Sequence, residues 1–421
     1  MSNPFRNRVF GCVLIKSINS NFNADFSHQP RTLPDGTVYA TDKALKYSVR
    51  NFLKNAFPTE KIFYSKSMDG KMQPRTLDER YQSYFGDYPK MTAIDKGEYL
   101  IFKSEGGQIT PIVTAQPKPN DIKKFFKSLD DDDEWREYQS KLPKKDDKQR
   151  KKEEATTLLK ASKELFEEDE DFFFYIDKAN KPKKFNGDFD ILNGLMKKLD
   201  ELSTGGVDRK KITENLLTCL DVRLFGGTYA GVTNLSFHGP LQITHGINRF
   251  PDNNIFSEQI SSPFRNPGEK NQDSTMTTLG SQSKLREGHY VFHFSINPQN
   301  LDELVRLSGG SPLLVSDVEK AKAGLSRGVT LYDSAAKAGS ENELMLWVQL
   351  KEDSMLVLPS FVELLKVAKD DKRTIDLSPI SEILKRDHVK SAVEKIEIWY
   401  DKATTTLSGM PDEAIFLDIN A

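Results

Sequence analysis

Between residues 16 and 54 the chain gathers side chains suited to holding a phosphodiester strand. Lys43, Lys46, Arg50 and Lys54 recur at spacings of three and four, so on a helix they form one basic stripe with no acid interleaved. Ahead of them Asn19, Asn21 and Asn23 crowd a short loop, with Lys16 before it and Arg31 after it. Lysine offers a point charge and arginine a forked donor. Asparagine amides and exposed backbone N–H groups can bond phosphate or the 2′-hydroxyl that separates RNA from DNA. Residues 1–57 hold eight basic side chains against three acidic ones, although the whole chain is at −2.

Chemistry that breaks bonds is harder to find. The six histidines include His289 and His293 on one strand face, but no cysteine or carboxylate stands at ligand spacing, so no metal is expected. There is no phosphate-cradling glycine loop with lysine and no nucleophile elbow. Asp25 beside Asn23 reads as a turn-former, and His238 as a hydrogen-bonded strand residue. The expectation is binding, with no catalytic residue and no cofactor.

These side chains need elements to position them. Val9–Ile15 is a dense apolar strand. After Pro34-Asp35-Gly36, Thr41 or Asp42 can N-cap a helix to about Phe57, its Leu45, Val49, Phe52 and Ala56 facing inward. A second apolar-periodic helix (Ile212, Leu216, Leu217, Leu220, Leu224) closes on Gly226 and Gly227, glycines that let the backbone approach a ligand strand. One strand should follow, with Phe237, Leu241, Ile243 and Ile247 inward and Ser236, His238, Gln242 and Thr244 outward. Arg249 to Gly288 lacks helical periodicity and reads as a long excursion or hairpin, with Arg249, Lys284 and Arg286 supplying charge. It returns as a strand over 288–296. A helix over 316–337 and a buried strand over 344–350 complete the pattern strand, helix, strand pair, helix, strand, the split βαβ of an α+β, ferredoxin-like domain.

Residues 58–204 differ in character. Basic residues number 28 and acidic ones 30, in blocks, while the apolar runs Tyr99–Phe102 and Phe172–Ile176 suggest a small core of their own. No internal repeat is expected anywhere in the chain. The expected organisation is 1–57, an insertion over 58–204, 205–250, an excursion over 251–287, 288–351 and a C-terminal addition over 352–421. That addition should hold a strand at Met355–Leu358, two short helices and a strand near Ile396–Tyr400.

The ordered set of strand, Asn-rich loop, Pro30-Arg31, basic helix, Asp221-Val222-Arg223-Leu224-Phe225-Gly226 and Gly239-Pro240-Leu241-Gln242 resembles the Cascade backbone subunit of CRISPR systems, the Cas seven family of the RAMP superfamily. The similarity is anchored in residues 6–57, 211–250 and 275–351, and is greatest to the type I-B branch, with type I-C next. It implies an RRM-like palm, an inserted finger and a thumb hairpin. It also implies partners: a CRISPR guide RNA, target DNA, neighbouring copies, and the guide-end cap, large and small subunits. Sequence would then be read by pairing with the guide. Met276 aligns with the family's apolar thumb wedge, but the basic residue expected beside it is missing, and Leu279 is an equal candidate. The alternative from another class is a RAMP endoribonuclease, which would need a general base close to its RNA.

A chain of 421 residues at 37% hydrophobic content can bury a substantial core. No apolar run reaches membrane-spanning length, and the start lacks a signal-peptide apolar region. Cys12 and Cys219 read as buried thiols in a reducing compartment. The expected location is the cytoplasm, away from membranes.

Overall fold

A computed structural model gives the fold and describes residues 3–90, 99–105, 108–115, 171–175, 207–261 and 279–420. The chain divides into two compact units, one of Met1–Gly86 with Arg209–Ala421, the other of Asp87–Asp208. The first unit begins with β1 (Val9–Ser20), β2 (Tyr39–Ala40), α1 (Asp42–Ala56) and α2 (Leu77–Phe85). The second holds β3 (Tyr99–Glu105), β4 (Gln108–Ala115) and β5 (Asp171–Tyr175), an antiparallel sheet in the order β4-β3-β5. The two apolar runs seen in the sequence thus lie side by side in β3 and β5. The first unit resumes with α3 (Arg209–Leu216), α4 (Leu220–Phe225), β6 (Gly226–Ala230), β7 (Asn234–His238), β8 (Leu241–Ile243), β9 (Gly246–Asn248), β10 (Ile255–Ser261) and β11 (Leu279–Ile296). It continues through α5 (Asp302–Ser308), α6 (Val315–Arg327), β12 (Ser340–Leu350), β13 (Lys366–Val367), β14 (Ile375–Asp376), α7 (Ser378–Leu384), α8 (Asp387–Ala392), β15 (Val393–Tyr400), β16 (Leu407–Ser408) and β17 (Ala414–Asp418).

The large sheet runs β17-β15-β12-β1-β11-β9-β2, with β8 and β10 also on β11, and only β15–β17 is parallel. Its centre follows from the sequence of β1, an apolar run that belongs where both faces are covered. Val9, Val13 and Ile15 enter a core with Phe294 and Trp347 of the neighbouring strands, closed by Leu45, Val49 and Leu53 of α1 and Val318 and Leu325 of α6. Phe10, Cys12 and Leu14 enter a second core, closed by Phe361, Leu365, Leu377 and Ile380 of the C-terminal addition. Gly11 sits where a Cβ would strike the Phe294 ring and the Leu346 carbonyl, so only glycine lets those groups close over β1. A bidentate Arg223–Asp317 pair (2.8 and 2.9 Å) ties α4 to α6.

Several expectations need correction. The compact unit keeps residues 58–86, with Ile62, Phe63 and Tyr81 buried, so the insertion begins near residue 87 and not at 58. The helix expected from 212 to 224 is two, broken between Leu216 and Leu220. The single strand expected over 236–247 is three. Pro240, lacking an N–H, ends β7, and a kink at Thr244–His245 separates β8 from β9; there Thr244 N–H donates to the His293 carbonyl (2.9 Å). The helix expected to reach 337 stops at Arg327, because Asn342 Oδ1 accepts the Val329 and Thr330 N–H groups and draws the chain away. Residues 355–358 are not a strand, and Met355 and Val357 are exposed. The rest of the addition has a clear place: β15 and β17 extend the sheet beyond β12.

His293 stands within this second core. Its Nδ1 accepts the Phe361 N–H (3.3 Å) and its ring meets Phe361 edge-on at 5.4 Å. Burial pushes its pKa from 6.5 down to about 4, so the folded protein keeps it neutral where the unfolded chain takes up a proton. Stability should therefore fall as pH drops from about 6.5 to about 4, and this contribution should level off below. In urea titrations across that window, His293→Asn should show a shallower pH dependence than wild type; identical slopes would contradict the assignment. Gly11→Ala should cost about 1–3 kcal/mol by overpacking, read in the same titrations at neutral pH.

Candidate nucleic-acid interface

The outer side of α1 is built around Asp221. This carboxylate is fully buried and accepts the Phe63 and Tyr64 N–H groups (2.7 and 2.8 Å) together with Arg50 Nε (3.2 Å). Arg50 is thereby laid between two rings, 5.0 Å from the Phe225 centroid and 5.7 Å from that of Tyr64. Lys46 lies 5.8 Å from the same Phe225 ring. Burial, then the charge of Asp221, push the Tyr64 phenol upward and keep it protonated.

At the start of the helix Thr41 occupies the N-cap, but its hydroxyl caps nothing. Its N–H and Oγ both donate to Asn23 Oδ1 (2.8 and 2.9 Å). Asn23 therefore pins the Asn-rich loop to the helix. Arg31 returns from that loop with its Nε on the Ala24 carbonyl (3.2 Å). Asp25 Oδ1 accepts the Ser27 and Gln29 N–H groups, the bonding of a turn-former. Past α4, Gly226 closes the helix at φ +66° and pairs with the exposed His238. Gln242, exposed on β8, donates to the Gly239 carbonyl (2.7 Å). Asn23 thus joins the loop to the start of α1, and Lys46 and Arg50 reach Phe225, the residue before Gly226.

The remaining sequence candidates lie elsewhere. Asn21 is buried and donates to the His28 and Ser283 carbonyls (both 3.1 Å). Lys16 pairs with Glu341 (3.1 Å), Arg249 with Glu363 (2.9 Å) and Lys284 with Glu258 (3.0 Å). Arg286 is exposed beside a cleft of about 290 Å³ that it lines with Glu287, Lys369 and Arg373. Asn19 is exposed, with φ +48°. Leu279 is described only as the first residue of β11, and Met276 lies outside the described residues.

Two parts of the sequence reading change here. The α1 stripe is not a free cationic face: Lys46 pairs with Asp42 (3.0 Å) and Arg50 with Asp221, leaving Lys43 and Lys54 as its exposed members. Gly227 serves its own fold, since a Cβ there would strike the Tyr64 ring; likewise Gly226 admits the Phe237 carbonyl and Gly239. Asp221, Tyr64 and Phe225 were not picked out as site residues. The signal for Asp221 was available: an acid flanked by Leu220 and Val222 in an apolar-periodic helix must be satisfied by something buried. Among the described residues no His, Cys, Asp and Glu group could hold a metal, and no helix is long and apolar enough to cross a membrane.

Stability should rank the substitutions. Asp221→Ala strands two buried N–H groups and Arg50 and should cost about 3–5 kcal/mol. Arg50→Ala should cost less, and Lys43→Ala or Lys54→Ala under about 0.5 kcal/mol. Denaturant midpoints that put Arg50→Ala level with Lys43→Ala would contradict this geometry.

The chain can now be set beside known proteins. No curated protein matches it significantly. A solved chain described as "CRISPR RNA-guided surveillance complex, pre-nicking" superposes with a TM-score of 0.44 at 14% identity, over 98% of this chain and 97% of that one. Another, "CRISPR RNA-guided surveillance complex", gives 0.35 at 13% identity, over 95% of each. Both superpositions are too loose to locate any residue's role. The family model described as "CRISPR-associated protein Cas7" matches residues 7–381, which spans β1, α1, the Asp221 cluster and the first part of the C-terminal addition. The chain therefore belongs to the Cas7 family of CRISPR-associated proteins.

Proposed function

We propose that this Cas7-family chain is the guide-RNA-binding backbone subunit of a type I Cascade surveillance complex. It polymerises along the guide and presents it for pairing with target DNA, beside the guide-end cap, large and small subunits. The observation that carries this reading is the α1 surface, where Lys43 and Lys54 stand exposed beside the Arg50–Asp221 cluster and the Asn23 loop with Arg31 is bonded to the start of the helix. Phosphate contacts of this kind position a strand without reading its bases, which suits a subunit whose specificity comes from the guide. The strand order β12-β1-β11 with β8 and β9 beyond, and α1 and α6 on one face, supports an RRM-like palm. The β10–β11 hairpin is then the stem of the thumb, and the second compact unit the finger. The subtype is I-B, with I-C next.

An RRM stacks bases on its open sheet. Here the face opposite α1 is packed under the C-terminal addition, so the guide runs past the helix and its loops instead. The role is non-catalytic: Asp25 spends its carboxylate on its own turn.

Purified full-length protein should bind single-stranded RNA with little sequence preference. Log affinity should fall linearly with log salt, by about 0.7 per phosphate neutralised. Lys43→Ala with Lys54→Ala should lower that slope by up to about 1.4 while leaving the melting temperature in place, and bound RNA should stay intact. Binding that is flat with salt, or RNA cut during incubation, would overturn the reading.

A further inference from the structure

The sequence does contain a short repeat. Asp25-Phe26-Ser27-His28-Gln29-Pro30-Arg31-Thr32-Leu33 recurs as Asp69-Gly70-Lys71-Met72-Gln73-Pro74-Arg75-Thr76-Leu77, with the aspartate and the Gln-Pro-Arg-Thr-Leu run in common. The two loops match bond for bond. Asp69 Oδ1 accepts the Lys71 and Gln73 N–H groups (2.9 and 2.8 Å), as Asp25 Oδ1 accepts those of Ser27 and Gln29 (2.8 and 2.9 Å). Asp69 N–H donates to the Gln73 carbonyl and Arg75 N–H to that of Ser67, as Asp25 does to Gln29 and Arg31 to Asn23. Met72 and His28 both sit at φ +62°.

Arg75 Nε donates to the Met68 carbonyl (3.0 Å), as Arg31 Nε does to that of Ala24. A guanidinium tethered through Nε leaves its two outer nitrogens as a pre-aimed fork, the geometry that suits a phosphate. Neither arginine forms an ion pair among the described residues. The aspartate cradle alone is not the special feature. Asp370 Oδ1 likewise accepts the Lys372 and Thr374 N–H groups, but there Arg373 Nε pairs with Glu287. What the two loops share, and the third lacks, is the tethered, uncommitted arginine.

We infer that residues 67–77 form a second arginine hook, which takes a phosphate of the guide RNA as the Arg31 loop does. This rests on the guide-binding reading proposed above. The second loop differs in a way that fits an outlying contact. Arg75 is more exposed than Arg31, and Lys71 adds a charge where the first loop has Ser27.

The test uses the full-length protein with labelled oligouridylate, and oligothymidylate as a second probe. Arg75→Gln keeps a donor for the Met68 carbonyl and removes the charge. It should leave the melting temperature unchanged, weaken RNA binding several-fold and lower the salt slope by about 0.7. Arg31→Gln should do the same, and the two together should lower the slope by about 1.4. Arg75→Lys, which keeps charge but not the fork, should retain the slope and lose part of the affinity. The inference fails if Arg31→Gln weakens RNA binding and Arg75→Gln does not. It also fails if Arg75→Lys loses as much slope as Arg75→Gln, or if only oligothymidylate binding suffers. Wild-type binding that is itself flat with salt would remove the guide-binding reading along with it.

Discussion

Strand β1 has to bury side chains on both of its faces, and the rest of the first unit is arranged around that demand. A strand reading Val-Phe-Gly-Cys-Val-Leu-Ile would expose several large apolar groups if either face of the sheet met water, at about 1.5–3 kcal/mol for each such side chain. Helices α1 and α6 close one face, and the C-terminal addition closes the other. With both faces covered, a ligand can be met only along the outer side of a helix, at loops, or at the ends of the sheet. The polar machinery is found there.

The same constraint explains why the interface is organised by buried charge. Arg50 leaves α1 on the side away from the Leu45 and Val49 core and reaches Asp221, which has no exposure at all. A carboxylate in that position is tolerable only when its oxygens are filled, and the Phe63 and Tyr64 N–H groups with Arg50 fill them. The chain just beyond α1 is thereby fixed against α4, and two aromatic rings are brought to the sides of the guanidinium. Fold and site are joined at that carboxylate.

Much of this was legible in the sequence where periodicity is strong and local. The apolar run of β1, the helix from Asp42 and its inward Leu45 and Val49, and the glycine closure at Gly226 all follow from spacing and capping. The sequence also brought forward most of the α1 surface, though not the state of its charges. Spacing puts Lys46 and Arg50 on an outer face but says nothing of Asp221, whose partner lies 171 residues away. Spacing likewise does not show where a side-chain amide is spent: Asn21 is buried on the Ser283 carbonyl, and Asn23 Oδ1 accepts the Thr41 N–H. The packing role of the C-terminal addition was hidden because its segments bury against strands far away in sequence. The Gln-Pro-Arg-Thr-Leu repeat is too short to stand out until the two loops are seen to share their hydrogen bonds.

The central claim is that RNA lies along α1, α4 and the Asn23–Arg31 loop, not against the sheet. Ultraviolet crosslinking of the RNA-bound protein, with the crosslinked peptides identified by mass spectrometry, tests it most directly. The account predicts nucleotide-bearing peptides from residues 23–33, 41–54 and 220–242, and none from residues 355–392 over the opposite face. Crosslinks concentrated in that C-terminal segment, with α1 unmodified, would contradict it.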